Sequence, residues 1–161
     1  MYIYVASSWQ TPRHDEVVKA LRDDGYYVYD YREQGEQIVS GHDQVLVNAC
    51  TLEEATTFLA QPNVLQAVDN DFDGLAACEA LVLVLPSGRS AHAEFGNVLH
   101  QVPTVVLWEP QQQLSVELIY SEADLITEEI DIMLAYLEKQ SIPPLPQDVY
   151  PHWNEVHDVP V

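Results

Sequence analysis

The stretch LVLVLPSGRSAHAEFG, residues 81–96, places the strongest constraint on how this chain can fold. It opens with an uninterrupted apolar run, which is typical of a β-strand covered on both faces. Strands of that kind belong to parallel sheets, because the crossover connections of such sheets place helices over both faces. The stretch therefore predicts a central strand of an α/β fold, followed by a turn and a helix.

The rest of the chain alternates between strand-like and helix-like patterns. Further strands are predicted at YIYVA near the N-terminus, at YYVYDY, at PTVVLW and around DLIT. Helices are predicted from a cap at Thr11 to Gly25, from a cap at Thr51, across a segment interrupted or weakened at Gly74, within AHAEFGNVLHQ, and at IDIMLAYLEKQ. This alternation predicts a Rossmann-like or flavodoxin-like fold, a five-stranded parallel sheet with helices on both faces.

The length of 161 residues suits one domain with its own core. We assign residues 1–140 to that domain and residues 141–161, which hold five of the ten prolines, to an extended tail. The polar residues 32–50 predict a long loop that walls an active site. A bridge between Cys50 and Cys78 is open, but two cysteines make no disulfide framework, and Cys78 is predicted to be a core residue.

The charge balance excludes some classes of partner. There are 26 acidic residues against 6 lysines and arginines, a formal net charge of −20. Nucleic acid polymers and anionic membrane surfaces are bound through clustered cations, so neither is expected as a partner. No apolar run approaches the ~18 residues of a membrane-spanning helix. We expect a soluble, cytoplasmic protein.

Polar residues follow several predicted strands, and the carboxyl ends of parallel strands meet at one edge of the sheet. Ser7 and Trp9 follow the first strand, where Trp9 can stack on a flat ligand or simply pack. Ser87, Gly88, Arg89 and Ser90 follow the central strand. Such a turn can cradle an anion with backbone N–H groups and an arginine fork, or it can be a plain tight turn. All six are candidate substrate-binding residues.

Glu94 is the candidate catalytic residue. The pattern places it in the first helical turn of the helix that follows residues 87–90. There it lies beside the buried stripe of Ala91, Phe95 and Val98. The helix dipole stabilises a carboxylate at that position by roughly 0.3–1 kcal/mol, so a purely structural role for Glu94 is the alternative to a catalytic one. An acid kept ionised in this way suits a nucleophile.

Asp71 lies between Asp69 and Asp73 in an acidic cluster before the central strand. The cluster is either a solvated helix start or the source of a second carboxylate that handles a proton opposite Glu94. The six histidines are scattered, with no metal-binding spacing. Neither a metal nor a cofactor is predicted.

Three segments carry a resemblance to a known family. YIYVASSW with Arg13 behind it, NDFDGLAACEALVLVLPSGRSAHAEFG, and VPTVVLW resemble the nucleoside 2-deoxyribosyltransferase-like family, which includes nucleotide N-glycoside hydrolases. The resemblance covers most of residues 1–139 and is strongest at 70–107. It implies a Rossmann-like fold, a homo-oligomer whose subunits complete each other's sites, and a nucleoside or nucleotide as the small-molecule partner.

The resemblance also implies roles for individual residues. The family glutamate of an E-x-G motif attacks the anomeric carbon, and Glu94 holds that position. The family aspartate of an N-D-x-x-G stretch contacts the base and manages its proton, and Asp71 holds that one. Gly88 stands where the transferases carry a further aspartate and the phosphate-preferring hydrolases a serine, with Ser87 and Ser90 nearby.

The sequence therefore predicts an enzyme. It would cleave or transfer the N-glycosidic bond of a (deoxy)nucleoside or nucleoside 5′-monophosphate through Glu94. The substitution at Gly88 leaves open a module that binds or sequesters a nucleotide without turnover. A purely structural α/β domain is the third alternative.

Overall fold

The structure is a computed structural model that describes residues 1–33, 51–110, 112 and 114–141. It contains one five-stranded sheet in the order β2-β1-β3-β4-β5, with every pair of neighbouring strands parallel. The strands are β1 (Tyr2–Ala6), β2 (Tyr27–Asp30), β3 (Ala80–Val84), β4 (Thr104–Leu107) and β5 (Leu125–Thr127). The predicted flavodoxin-like parallel sheet is confirmed, and β3 is its central, fully buried strand.

Helices cover both faces of the sheet. They are α1 (His14–Asp23), α2 (Leu52–Leu59), α3 (Pro62–Ala77), α4 (Arg89–Val98) and α5 (Ile130–Gln140), with a 3₁₀ helix at Leu118–Glu122. Successive side chains of a strand point to opposite faces. In β1, Ile3 and Val5 pack in the core under α1 and α5, whereas Tyr4 packs in the core under α3 and α4.

Threonines were predicted to cap the N-termini of two helices, and one of these two predictions is wrong. The hydroxyl of Thr51 accepts a hydrogen bond from the backbone N–H of Glu54, which confirms Thr51 as a cap. Thr11 does not cap α1, which begins only at His14. Its hydroxyl instead donates to the carbonyl of Pro86, at 2.6 Å, and so ties the loop after β1 to the turn after β3.

Gly25 ends α1 as predicted, with a φ of 88° that favours glycine. The predicted interruption at Gly74 is wrong, because α3 runs unbroken from Pro62 to Ala77. Gly74 is needed there for a close approach. A Cβ atom on it would lie 2.9 Å from Cδ2 of Tyr29.

Several predictions concern segments outside the described residues. Residues 34–50 of the predicted loop at 32–50, with Cys50, and residues 142–161 of the predicted tail are among them, so the domain boundary at residue 140 stays a prediction. Cys78 is a free, buried thiol, which confirms its place in the core. In the described part of the chain, no helix is both long and apolar enough to cross a membrane.

Candidate functional site

The strand order creates a crevice at the carboxyl edge of the sheet. From β1 the chain passes to β2 on one side and returns to β3 on the other, so the connections diverge between β1 and β3. Open α/β sheets bind their ligands at such a point. A cavity of about 340 Å³ lies beside it, between α3 and α4. It is lined by Val68, Asp71, Phe72, Leu75, Ser90, Ala93, Glu94 and Asn97.

The two predicted catalytic residues meet in this cavity. Asp71 reaches it from α3 and Glu94 from α4, and both side chains are half-buried. Asp69 and Asp73 are exposed, and all three aspartates lie well inside α3. The reading of the cluster as a helix start is therefore wrong, and Asp71 is the member of the cluster that faces the site.

The environment of Glu94 differs from the predicted one. Glu94 is the sixth residue of α4, which begins at Arg89, so it lies in the second turn and not the first. The stabilising effect of a helix dipole fades beyond the first turn. Burial therefore dominates and, with the nearby charge of Asp71, raises the pKa of Glu94 to about 7. The predicted first-turn position is wrong, and with it the helix-dipole argument for a carboxylate that stays ionised.

A tyrosine that the sequence analysis did not single out lies beside Glu94. The pKa of the Tyr4 phenol is raised by burial first and then by the charges of Glu94 and Asp71. In return, the Tyr4 hydroxyl lowers the pKa of the Glu94 carboxyl. That hydroxyl is buried and has no partner of standard hydrogen-bond geometry among the described groups. It is therefore placed to donate to Glu94 after a small movement of either side chain.

Asp71 has a tyrosine of its own. The hydroxyl of Tyr29 donates to Oδ1 of Asp71, with 2.8 Å between the oxygens. Burial raises the pKa of Asp71, and this hydrogen bond acts in the opposite direction. Each of the two carboxyl groups is thus accompanied by one tyrosine from the sheet beneath it.

The turn after β3 is held by a histidine. His92 lies within hydrogen-bond distance of the Gly88 carbonyl through Nδ1 and of the Tyr120 hydroxyl through Nε2, 2.7 Å in each case. A carbonyl can only accept, so Nδ1 carries a proton. Nδ1 is also 3.4 Å from the hydroxyl of Ser87. The sequence offers one indication of this contact: His92 lies four residues after Gly88, which is one helical turn.

The predicted substrate-binding residues divide into two groups. Ser90 lines the cavity, and Ser87, Gly88 and Arg89 directly precede it in the chain, Ser87 half-buried and the other two exposed. Ser7 and Trp9 follow β1 and are not among the cavity-lining residues. The hydroxyl of Ser7 bonds to Nδ1 of His14 at 2.8 Å and to the Tyr31 hydroxyl at 2.9 Å. Trp9 meets Tyr31 edge to face, with 5.1 Å between the rings.

Within the described ranges, no three histidine, cysteine or acidic side chains converge as a metal site requires. The polar groups that line the cavity are two carboxyl groups with raised pKa values, the Ser90 hydroxyl and the Asn97 amide. Buried acids whose pKa values are shifted and which face a cavity are typical of functional sites. Apolar side chains, among them Phe72 and Leu75, form the rest of the wall.

Comparison with known proteins bears on the fold. No protein-family model matches the chain, and no curated protein sequence matches it. Among solved structures, the 2-deoxyribosyltransferase of the psychrotolerant bacterium Bacillus psychrosaccharolyticus is similar, with a TM-score of 0.60 at 17% identity over 91% of this chain and 100% of that one. The CMP N-glycosidase of Clostridium botulinum gives a TM-score of 0.49 at 12% identity, over 86% of this chain and 98% of that one. The chain thus has the fold of the family that its sequence resembles.

Proposed function

We propose that the protein cleaves or transfers the N-glycosidic bond of a (deoxy)nucleoside or nucleoside 5′-monophosphate, with Glu94 as the nucleophile. The observation that carries the proposal is that Glu94 and Asp71, from two different helices, face one cavity at the diverging strands. The fold shared with a 2-deoxyribosyltransferase supports it.

The proposed reaction needs both carboxyl groups. Ionised Glu94 attacks the anomeric carbon and forms a glycosyl ester, while the bond to the base breaks and its electron pair leaves with the base. Asp71 manages the proton that the leaving base takes up. Water then releases the sugar in a hydrolase, or a second base accepts it in a transferase. Two displacements on one carbon retain its configuration, as in retaining glycosidases.

The raised pKa of Glu94 fits this role. At a pKa of about 7, the ionised fraction of Glu94 increases through neutral pH. The positive charge that develops on the sugar stabilises a carboxylate held in an apolar cavity more than it would in water. The Tyr4 hydroxyl supports the ionised form, because it lowers the pKa of Glu94. Phe72 and Leu75 offer apolar surface for the flat base.

The turn at residues 87–90 would receive the 5′ end of the sugar. A Cβ atom on Gly88 would meet nothing within 4 Å, so the position is open towards solvent. Arg89 is exposed and forms no ion pair or hydrogen bond with the described residues. We propose that Arg89, with the hydroxyls of Ser87 and Ser90, sets any preference for a 5′-monophosphate.

We further propose that the protein is a homo-oligomer, at least a dimer. Part of the outer surface of α3 is apolar, with exposed fractions of 52% for Leu65, 44% for Val68 and 60% for Phe72. Val68 and Phe72 also line the cavity, so a neighbouring subunit on this surface would close the site. Light scattering at high protein concentration tests this, and a monomer mass contradicts it. A cytoplasmic location stays a prediction.

A module that binds or sequesters a nucleotide without turnover is the second candidate. One observation favours it: Gly88 supplies no side chain where the transferases of the resembled family carry an aspartate. Such a module would keep the cavity and its affinity but release no product.

One experiment separates the candidates. The purified protein is incubated overnight with a panel of nucleosides and 5′-monophosphates, with and without an added free base, and the products are separated by chromatography. Free base indicates hydrolysis, and a new nucleoside that needs the added base indicates transfer. Binding by calorimetry with neither product favours the sequestering module. Glu94→Gln, prepared identically, shows whether a product comes from this site. If the wild-type protein neither binds nor converts any compound of the panel, both candidates are contradicted.

A further inference from the structure

Tyr29 and Tyr4 form a pair beneath the cavity. They are direct partners in the parallel register of β1 and β2, so both side chains leave the same face of the sheet. Their rings stack with 4.9 Å between the centroids and an interplanar angle of 16°. Both are buried, with exposed fractions of 4% for Tyr29 and 0% for Tyr4. Each ring therefore covers one face of the other.

The other side of the Tyr29 ring is fixed by α3. Gly74 lies one helical turn after Asp71, so both residues are on the same side of the helix, facing β2. The ring occupies the space that a side chain at residue 74 would need, with three ring atoms 2.9 to 3.1 Å from its ideal Cβ position. Tyr4 and α3 therefore hold the ring between them, and its hydroxyl ends at Oδ1 of Asp71.

We propose that Tyr29 is a positioning residue for the reaction: its hydroxyl holds Oδ1 of Asp71 and so leaves Oδ2 to face the cavity. This inference rests on the proposed function, in which Asp71 manages the proton of the leaving base. Without the hydroxyl, the Asp71 carboxyl could rotate away from the substrate. Tyr29 itself is not among the cavity-lining residues and need not touch the substrate.

The groups around Asp71 are mostly acidic, so the hydrogen bond from Tyr29 is what stabilises the ionised form of Asp71. Glu94 faces Asp71 from α4, the Tyr4 phenol faces it from β1, and Asp69 and Asp73 flank it on its own helix. Among the described residues, Tyr29 is the group that donates a hydrogen bond to the Asp71 carboxyl. Burial raises the pKa of Asp71 and this bond lowers it, so removing the hydroxyl should raise the pKa further.

The test is Tyr29→Phe, which keeps the ring and removes the hydroxyl. Carbon-13 NMR of the aspartate carboxyl groups, assigned with Asp71→Asn, follows the titration of Asp71 without any substrate. We expect the Asp71 midpoint to rise by about one pH unit. The limb of the pH–rate profile that reports Asp71 should move by the same amount, and kcat at neutral pH should fall about tenfold. Tyr136→Phe, which removes a hydroxyl on α5 on the opposite face of the sheet, should change neither measurement.

Gly74→Ala is the second variant, because it disturbs the same contact without touching the hydroxyl. Its Cβ atom must displace the Tyr29 ring, so we expect the Asp71 midpoint to move in the same direction. Circular dichroism and thermal unfolding identify any variant that fails to fold. If one of Tyr29→Phe and Gly74→Ala does not fold, the Asp71 midpoint in the other one tests the proposal.

The outcomes separate this inference from the proposed function. An unchanged Asp71 midpoint in folded Tyr29→Phe overturns the positioning role. A loss of kcat with an unmoved midpoint and pH profile means that Tyr29 only supports packing, which also overturns it. If the midpoint moves but the wild-type protein turns over no nucleoside or nucleotide, the proposed function fails while Tyr29 still positions Asp71.

Discussion

Asp30 and Glu94 are two acids near the carboxyl edge of the same sheet, one buried and one half-buried, and their surroundings differ. Asp30 ends β2, and its Oδ1 lies 2.9 Å from Nε2 of the fully buried His14 and accepts the backbone N–H of Arg32 at 2.8 Å. Burial pushes its pKa up, but these bonds and the charge of His14 outweigh burial, and the net effect is a lowered pKa. Among the described residues, the Tyr4 hydroxyl is the one group that lowers the pKa of Glu94, and burial together with the charge of Asp71 outweighs it and raises that pKa to about 7.

The difference separates a structural acid from a candidate catalytic one. A carboxylate whose hydrogen bonds are supplied by the fold has little capacity left for a substrate. A carboxyl group left short of partners beside a cavity costs stability, and that cost is expected at functional sites. The cluster of Ser7, His14, Asp30 and Tyr31 therefore organises the loop after β1, while Glu94 and Asp71 remain available to a ligand.

The largest expected effect is the loss of turnover in Glu94→Gln. An amide cannot form the glycosyl ester, so we expect kcat/KM on the best substrate to fall at least about 1,000-fold. Circular dichroism should show an unchanged fold, because Glu94 forms no ion pair with the described residues that the mutation could break. Wild-type activity in this variant would mean that Glu94 is not the nucleophile. Unfolding would mean that it is a structural acid.

Asp30→Ala should have its main effect on stability. It leaves the imidazole of His14 buried without its acceptor and breaks the tie to the Arg32 backbone. We expect the free energy of unfolding, measured with urea, to fall by about 3 kcal/mol. Asp30→Asn keeps an oxygen acceptor and should lose less. An Asp30→Ala protein as stable as wild type would contradict the structural role.

The sequence predicted the sheet well because continuous apolar strands such as 81–85 and caps such as Thr51 are local signals. It also singled out Asp71 and Glu94, partly through a resemblance to a family. It missed Tyr4 and Tyr29, because their roles depend on the register between β1 and β2, which no single segment encodes. It placed Glu94 in the wrong helical turn, because the residue at which a helix begins is poorly marked in a sequence. The predicted stabilisation of the ionised carboxylate by the helix dipole depended on that position and failed with it.

The two acids should also respond to pH with opposite signs. The folded protein holds the Glu94 proton more tightly than the unfolded chain, so the free energy of unfolding due to Glu94 falls as pH rises from 4.5 through about 7. Glu94→Gln should therefore gain stability over wild type with rising pH, by on the order of 2 kcal/mol above neutral pH. Urea unfolding at several pH values measures this gain.

Asp30 provides the internal control for that titration. Its lowered pKa means that its stabilising contribution is present above the ordinary value of 3.8 and is lost as pH falls below it. The difference in stability between wild type and Asp30→Ala should thus persist at neutral pH and shrink in acid. If Glu94→Gln gains no stability between pH 5 and 8, the site does not disfavour the charged form of Glu94.

The smallest and most selective effect is expected at Arg89, which extends the comparison from acids to cations. Arg32, near Asp30, pairs with Asp15 and donates to backbone carbonyls of the loop after β1, whereas Arg89 has no such partner among the described residues. If a 5′-monophosphate is the substrate, Arg89→Ala should lower kcat/KM for it about tenfold, equivalent to ~1.4 kcal/mol, and spare the nucleoside. Lys139→Ala removes a distant cation on α5 and should change neither rate. Equal losses on both substrates would mean that Arg89 only shapes the turn, and the open position at Gly88 would then have no role in phosphate recognition.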